Sequence, residues 1–156
     1  MSVLATLSND EIIQLATRAK VQALEVEMKK FPQLELPLFH HFMPGMYIRE
    51  LHIPKDALTV GKIHKFPCLN FLSKGERTTL IDDQMVRIRA PHIHWSPPGH
   101  QRFSYTHEDS VWVTMHWNPR NERNIKTLEK ELVAETEDEY RDFVKFLEME
   151  VPTCLS

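Results

Sequence analysis

The sequence predicts a mainly β fold with helices at both ends. Short runs of alternating apolar and polar residues recur between Met46 and Trp117, and turn-forming residues separate them. Helical spacing of apolar residues is confined to the two flanks. Eight phenylalanines and three tryptophans in 156 residues suffice to fill the interior of one barrel or sandwich.

The first element is a helix over 9–30. Ser8 and Glu11 form a capping box, and Leu7 and Ile12 a hydrophobic staple. Ile12, Leu15, Ala16, Ala19, Ala23 and Val26 make its apolar stripe, and Phe31-Pro32 ends it. Its expected role is to pack on the outside of the barrel. Residues 32–45, PQLELPLFHHFMPG, read as a proline-rich extended crossing segment.

Strands follow at close spacing. Met46–Ile53 alternates, and Pro54-Lys55-Asp56 turns the chain into Leu58–Lys65 and Cys68–Leu72. Lys74-Gly75 leads into Arg77–Ile81, and Asp82-Asp83-Gln84 into Met85–Arg89. Pro91–Trp95 is short, Pro97-Pro98-Gly99 is a tight turn, and Arg102–Tyr105 and Val111–Trp117 close the set. Roughly eight short strands of this kind make a sandwich or a barrel. After Asn118 the period changes. A short helix is expected over Asn124–Val133. A second is capped by Thr136 and Glu139 and striped by Tyr140, Phe143, Val144 and Leu147. The expected organisation is a single domain over 1–156, with the barrel at 46–118 and helices at 9–30 and 124–150.

Net charge is −3, which argues against a nucleic-acid partner. Residues 129–150 carry nine acids against three bases, and those at 135–139 suit the start of a helix. Cys68 and Cys154, far apart, make no disulfide framework. No signal peptide is evident, and no run approaches the roughly 20 apolar residues of a membrane span. The expected location is cytoplasmic, without a membrane partner.

The order of helix, strands, His64 on a strand, Gly75 at a turn and Pro97-Pro98-Gly99 before a closing strand resembles the cupin superfamily. This resemblance covers about residues 40–118. It implies a cupin-type jelly-roll, the double-stranded β-helix barrel. In the first cupin motif His64 takes the place of the second histidine, Lys62 that of the first and Cys68 that of the glutamate. In the second motif Pro97 and Gly99 match, while Arg102 stands at the histidine and Thr106 at the asparagine. More narrowly, YIRELHIPKDALTVGKIHK and RAPHIHWSPPGHQRFSYTHEDSVWVTMHWNP are similar to small cupin-like proteins encoded by tailed bacteriophages. That likeness implies the host cytoplasm as location, with virion association and other phage proteins as partners left open. It also implies self-association, as a homodimer or a higher homo-oligomer. The apolar residues of PQLELPLFHHF offer one means, an added strand on a neighbour's edge.

In the cupin frame the strand faces bearing His64, Cys68 and Arg102 point into the barrel. Strand alternation then gives a pocket of Lys62, His64, Cys68, Asn70, Arg102 and Ser104, with His116 at the rim. Eight strands leave room for side chains or one small ligand. Buried cations need a partner, which points to a small polar or anionic ligand, with Lys62 and Arg102 supplying the charge. His64, Cys68 and His116 are the candidate ligands of a divalent transition metal (Fe, Zn, Ni or Mn), with His100 and His107 as further donors. His92 and His94 share a strand face and make a weaker pair. His107-Glu108-Asp109 reads as a turn in which Asp109 bonds local backbone. No nucleophile elbow, phosphate-cradling glycine loop or HExxH sequence is present. The expected function is a non-catalytic, phage-type cupin-like protein that binds such a ligand or serves as an accessory or structural part. The alternative is a divergent metal-dependent cupin enzyme: an oxygenase, isomerase or lyase acting on a small molecule.

Overall fold

Among the described residues, ten strands form two five-stranded antiparallel sheets that face each other. A computed structural model describes residues 9–150, with side chains from residue 16 onward. In chain order the elements are α1 (Asn9–Met28), β1 (Leu38–Met43), β2 (Met46–Ile53), β3 (Leu58–His64), β4 (Cys68–Lys74), β5 (Glu76–Ile81), β6 (Gln84–Arg89), β7 (His92–Ser96), β8 (Gln101–Thr106), β9 (Ser110–Trp117), α2 (Ile125–Leu132), β10 (Val133–Ala134) and α3 (Glu137–Glu150). The first sheet has the order β1-β2-β9-β4-β7 and the second β10-β3-β8-β5-β6. Count β2 to β9 as eight successive strands. The first, eighth, third and sixth then lie in one sheet, and the second, seventh, fourth and fifth in the other. This interleaving is the double Greek key of a jelly roll, so the expected double-stranded β-helix is present.

Two strands lie outside the expected span. The crossing segment contributes β1, which pairs with β2 through the turn Met43-Pro44-Gly45-Met46. Pro44 presets the first central residue, and Gly45 takes φ +77°, as a type II turn requires. The run of prolines before it hid this strand. β10 is two residues long and pairs Val133 with His64 and Ala134 with Ile63.

Apolar packing is split between the ends of the strands. Ile53, Ala57, Leu72, Ile88 and Trp112 close one end. Tyr47, Leu128, Leu132 and Val133 close the other, where α2 lies across it. Asn124 caps α2 by accepting the Thr127 amide at 3.1 Å. Between the two apolar clusters the interior is polar, because β4, β8 and β9 turn Asn70, Ser104 and Thr114 inward.

The helices differ from expectation in how they dock. The Ser8 capping box and the Leu7 staple lie outside the described residues. Ala16, Ala19, Ala23 and Val26 are exposed; α1 instead buries Arg18 and Val21. The Arg18 guanidinium grips both carboxylate oxygens of Glu137, donates to the Gly99 carbonyl at 3.0 Å, and lies over the Tyr140 ring. One polar anchor, rather than an alanine stripe, therefore sets the helix's rotation. At α3, Thr136 accepts from the Glu139 amide at 3.2 Å, while the Glu139 carboxylate reaches the Glu135 amide at 2.9 Å. Asp109 accepts from the distant Lys55 amide at 2.9 Å, so it ties two turns together instead of its own. Among the described residues no helix is long and apolar enough to cross a membrane.

Gly75 turns β4 into β5 with φ +88°, and a Cβ there would sit 2.3 Å from Ser110 Oγ and 2.6 Å from the Asp109 carbonyl. Backbone strain and steric overlap then add. Gly75→Ala is expected to cost roughly 2–4 kcal/mol of stability, read as a lower urea midpoint. An unchanged midpoint would mean that this turn has slack the packing does not show.

Candidate ligand site inside the barrel

The polar belt gathers most of the predicted site residues. His64 and Cys68 lie at the end of β3 and the start of β4, with His64 Nδ1 3.5 Å from Cys68 Sγ. His116, on β9, stacks on His64 with ring centroids 5.5 Å apart and on Tyr47 at 5.9 Å. It is deep inside and not at the rim. Asn70 donates to Ser96 Oγ at 2.9 Å, and Thr114 donates to Asn70 Oδ1 at 3.3 Å. Arg102 also donates to Ser96 Oγ, at 2.9 Å, and lies over the Trp112 ring at 4.5 Å. Ser104 faces inward and shares a 2.6 Å hydrogen bond with Thr79.

Lys62 does not join them. β3 pairs Val60 with Phe103 and Ile63 with Gln101, so Gly61 and Lys62 together stand opposite Arg102. This bulge interrupts the alternation that put Lys62 and His64 on one face. Lys62 leaves the barrel and pairs with Glu135, while His64 stays inside. His107 also lies outside, hydrogen-bonded to Thr78 at 2.7 Å. His100 and His94 are separate from the His64–Cys68–His116 group.

Two inward cations lie outside the sequence-predicted set. Arg77 on β5 is 2% exposed and donates to the hydroxyls of Thr59 and Thr106 at 2.6 and 3.2 Å. It lies over the same Trp112 ring, at 5.2 Å. Arg49 on β2 faces the His40–His116 side, and its Nε is buried with no partner. Arg102 Nε is also buried and unpartnered. Strand alternation carried the signal for both residues, since Tyr47 and Arg49 share a face, as do Arg77 and Thr79. No carboxylate of the described residues forms a salt bridge with Arg49, Arg77 or Arg102.

Burial depresses the charged form of Arg77, Arg102, His64 and His116. It pushes Arg77 down to about 9 and Arg102 to about 10, so both stay protonated at neutral pH. His116 is pushed down to about 4 by burial and by Arg49 and Arg102. His64 lies well below the ordinary histidine value, from burial first and Arg102 second. Burial raises the Cys68 thiol, although Arg102 opposes it. The interior at neutral pH is thus neutral imidazoles and a thiol beside fixed guanidinium charge.

A cavity of about 530 Å³ opens on this belt at the seam between β7 and the β5–β6 hairpin. His94, Ser96 and His100 line it, and Ser96 is the residue that holds Arg102. Both His94 ring nitrogens and His100 Nε2 are buried without a partner. Burial and Arg102 push each of these histidines down to about 4.

His64, Cys68 and His116 also answer the metal expectation in part. Their ligand atoms all lie within 4.8 Å of one another. The 3.5 Å separation of His64 Nδ1 and Cys68 Sγ matches the edge of a tetrahedral zinc site, about 3.5 Å for ordinary bond lengths. Neutral imidazoles and a thiolate suit a soft transition metal, and Cys68 would have to lose the proton that burial favours. The set fits such an ion by donor type and spacing, though the neighbouring Arg102 charge opposes it.

No protein-family model matches the chain, and no curated protein matches it in sequence. Solved structures share its shape. KdgF from Halomonas sp. is 11% identical, over 60% of this chain and 86% of its own, with a TM-score of 0.48. A cupin superfamily protein from Desulfitobacterium hafniense DCB-2 is 9% identical, over 56% and 81%, also at 0.48. The Cupin_2 domain of an XRE family transcriptional regulator from Enterobacter cloacae is 10% identical, over 56% and 100%, again at 0.48. These likenesses are of fold. The strand order already shows a jelly roll, and the structures similar to it include cupins.

The low histidine values give a pH dependence. The folded pKa values lie below the ordinary one, so the unfolded chain takes up protons first as pH falls. Stability is fully present above about pH 6.5 and declines toward pH 4. His100 and His116 are expected to cost on the order of 2 kcal/mol each at pH 5, read as a falling urea midpoint between pH 7 and 5. A flat midpoint over that range would show these rings to be solvated.

Proposed function

We propose that the barrel binds a small polar or anionic organic molecule, most simply a carboxylate, as a non-catalytic ligand-binding protein. The observation that supports this most is the cluster of inward guanidiniums on Arg49, Arg77 and Arg102, none paired with a carboxylate. A buried cation without a counter-ion costs several kcal/mol unless a ligand supplies the charge. Hydroxyls and the Trp112 face hold Arg77 and Arg102 in place, and the unpartnered Arg102 Nε keeps a donor for an anion oxygen. His64, Cys68 and Asn70 would orient the molecule, and His94 and His100 would meet it in the cavity. The KIH and HED segments support a phage-encoded accessory protein as the setting, with virion proteins among its partners.

The second reading is metal-dependent catalysis, favoured by the His64–Cys68–His116 spacing. Those three residues would hold the ion, which would polarise a bound oxygen. Arg102 would then anchor the substrate's negative end.

Thermal shift and calorimetry with mono- and dicarboxylates, sugar acids and inorganic phosphate test the first reading. At least one anion is expected to raise the melting temperature. Arg102→Met should weaken its binding by about 10- to 100-fold, the worth of one charged hydrogen-bonding partner. Because it removes an unpaired buried charge, the same change should raise the ligand-free melting temperature by ~3 °C or more. No response to any anion, with a lower melting temperature for Arg102→Met, would overturn the reading. Near-stoichiometric metal in chelator-free protein, lost in His64→Ala, would put the enzyme ahead.

A further inference from the structure

The cavity beside β7 holds more hydrogen-bond acceptors than a bare carboxylate can serve. His94, His100 and Gln101 are among the residues that line it. Each keeps buried polar atoms without a partner in the protein: both ring nitrogens of His94, Nε2 of His100 and Oε1 of Gln101. What each atom can do follows from what the rest of its side chain does. His100 hydrogen-bonds the Leu80 carbonyl, which only a ring N–H can do. That bond uses Nδ1, because Nε2 has no partner, and it leaves Nε2 as a bare lone pair. Gln101 donates its amide nitrogen to the Gly61 carbonyl at 3.1 Å and to Glu25 at 3.3 Å, so Oε1 is its accepting end. Burial and Arg102 push His94 down to about 4, so at neutral pH its ring carries one N–H and one lone pair.

A buried acceptor without a donor is costly, and a carboxylate or a phosphate dianion brings only further acceptors. An ammonium brings only donors and leaves the His94 N–H unmet. Arg102, whose charge already acts on both rings, would also repel it. A hydroxyl has one donor and two lone pairs, so it serves either side of an imidazole. Water does the same, and a ligand that displaces water here keeps its affinity only by carrying groups of that kind. Charge is sorted along the cavity as well. Arg102 is held through Ser96 and against Trp112, and His94 lies beside the same indole with ring centroids 5.5 Å apart. Toward solvent the cavity is lined by the turn residues Asp82 and Asp83, neither of which forms a salt bridge with a described residue. Their carboxylates accept from hydroxyls and disfavour a second negative group at that end.

We propose that the molecule bound in the barrel is a polyhydroxylated monocarboxylate, with its carboxylate on Arg102 and its hydroxyls on His94, His100 and Gln101. This rests on the reading of the barrel as a site for a small anion, and it names the class of anion. The cavity's volume of about 530 Å³ falls within the usual range of small-molecule sites, about 300–1,000 Å³. The neutral rings then have a task. A protonated imidazole has no lone pair to take a hydroxyl, and burial together with Arg102 keeps both rings in the form that has one. Arg102 thus draws the carboxylate to its own end and prepares the neighbouring rings for the rest of the molecule.

Calorimetry near neutral pH with a series of six-carbon acids tests this: gluconate, its deoxygenated counterpart hexanoate, 6-aminohexanoate and the diacid glucarate. Gluconate should bind about tenfold or more tightly than each of the others, because a site with buried acceptors rejects an analogue that leaves them unpaired. Arg102→Met should weaken gluconate by about tenfold or more, which places that binding in the barrel. His100→Phe should bring gluconate and hexanoate within about threefold of each other. If that variant fails to fold, His94→Phe reads the same comparison, and the wild-type series decides without either. Hexanoate, 6-aminohexanoate or glucarate binding as tightly as gluconate would overturn the proposal and leave the barrel an anion site. So would a preference for gluconate that survives in folded His100→Phe, or gluconate binding that Arg102→Met leaves unchanged. Binding of none of these acids would also overturn it, and if phosphate and the simple dicarboxylates then failed as well, the reading beneath it would fall too.

Discussion

The stacking of Arg102 on Trp112 is the contact on which the interior depends. Trp112 carries two guanidiniums, Arg102 at 4.5 Å and Arg77 at 5.2 Å. Its ring also belongs to the apolar cluster that closes one end of the barrel. One side chain therefore joins the packed end to the polar belt. The aromatic face partly offsets the desolvation of both cations, which a neutral aliphatic wall would not. Around that pair, Ser96, Asn70 and Thr114 form a chain of hydrogen bonds that fixes the remaining polar groups. In a low-dielectric interior such a chain is stiff, and each member leaves its neighbours short of a partner if removed.

The same arrangement explains why two readings of the site coexist. His64 and His116 are held neutral by burial and by the arginines, which is the state a metal requires of an imidazole, whereas burial holds Cys68 as a thiol that would have to give up its proton to bind. Yet those arginines repel a cation. Fixed positive charge and available lone pairs lie within one belt, and the charge is what the protein cannot remove by titration. An anion satisfies the belt directly. A metal satisfies it only if something negative arrives with it.

Much of the fold was legible because turn residues and strand alternation agree. Gly75, Asp82-Asp83 and Pro97-Pro98-Gly99 mark the connections they were expected to mark, and the interleaved strand order follows. The site was legible wherever alternation is strict, as for Cys68 and Asn70 or Arg102 and Ser104. It failed at Lys62, where Gly61 permits an extra residue and a single bulge reverses the side chain's direction. Arg49 and Arg77 obey alternation but lie outside the motif positions, so no spacing drew attention to them. α1 misled for a different reason. Its alanines are weak packing residues, and the ion pair of Arg18 with Glu137 joins positions 119 residues apart, beyond any local pattern. β1 was hidden by prolines that sit before it and in its turn, not within it.

Both ends of the barrel are stoppered, by the cluster around Leu72 at one and by α2 at the other. One long seam is widened by the added strands β1 and β10. The other, where β6 and β7 are edges of different sheets, has no hydrogen-bonded pairing across it. A ligand held as proposed would therefore enter and leave sideways, through this seam. Its residence time would be set by how far the Gln84–Arg89 edge parts from the His92–Ser96 edge. Affinity and release rate would accordingly be altered by different residues: those on the inner walls would grip, and those along the open seam would govern escape.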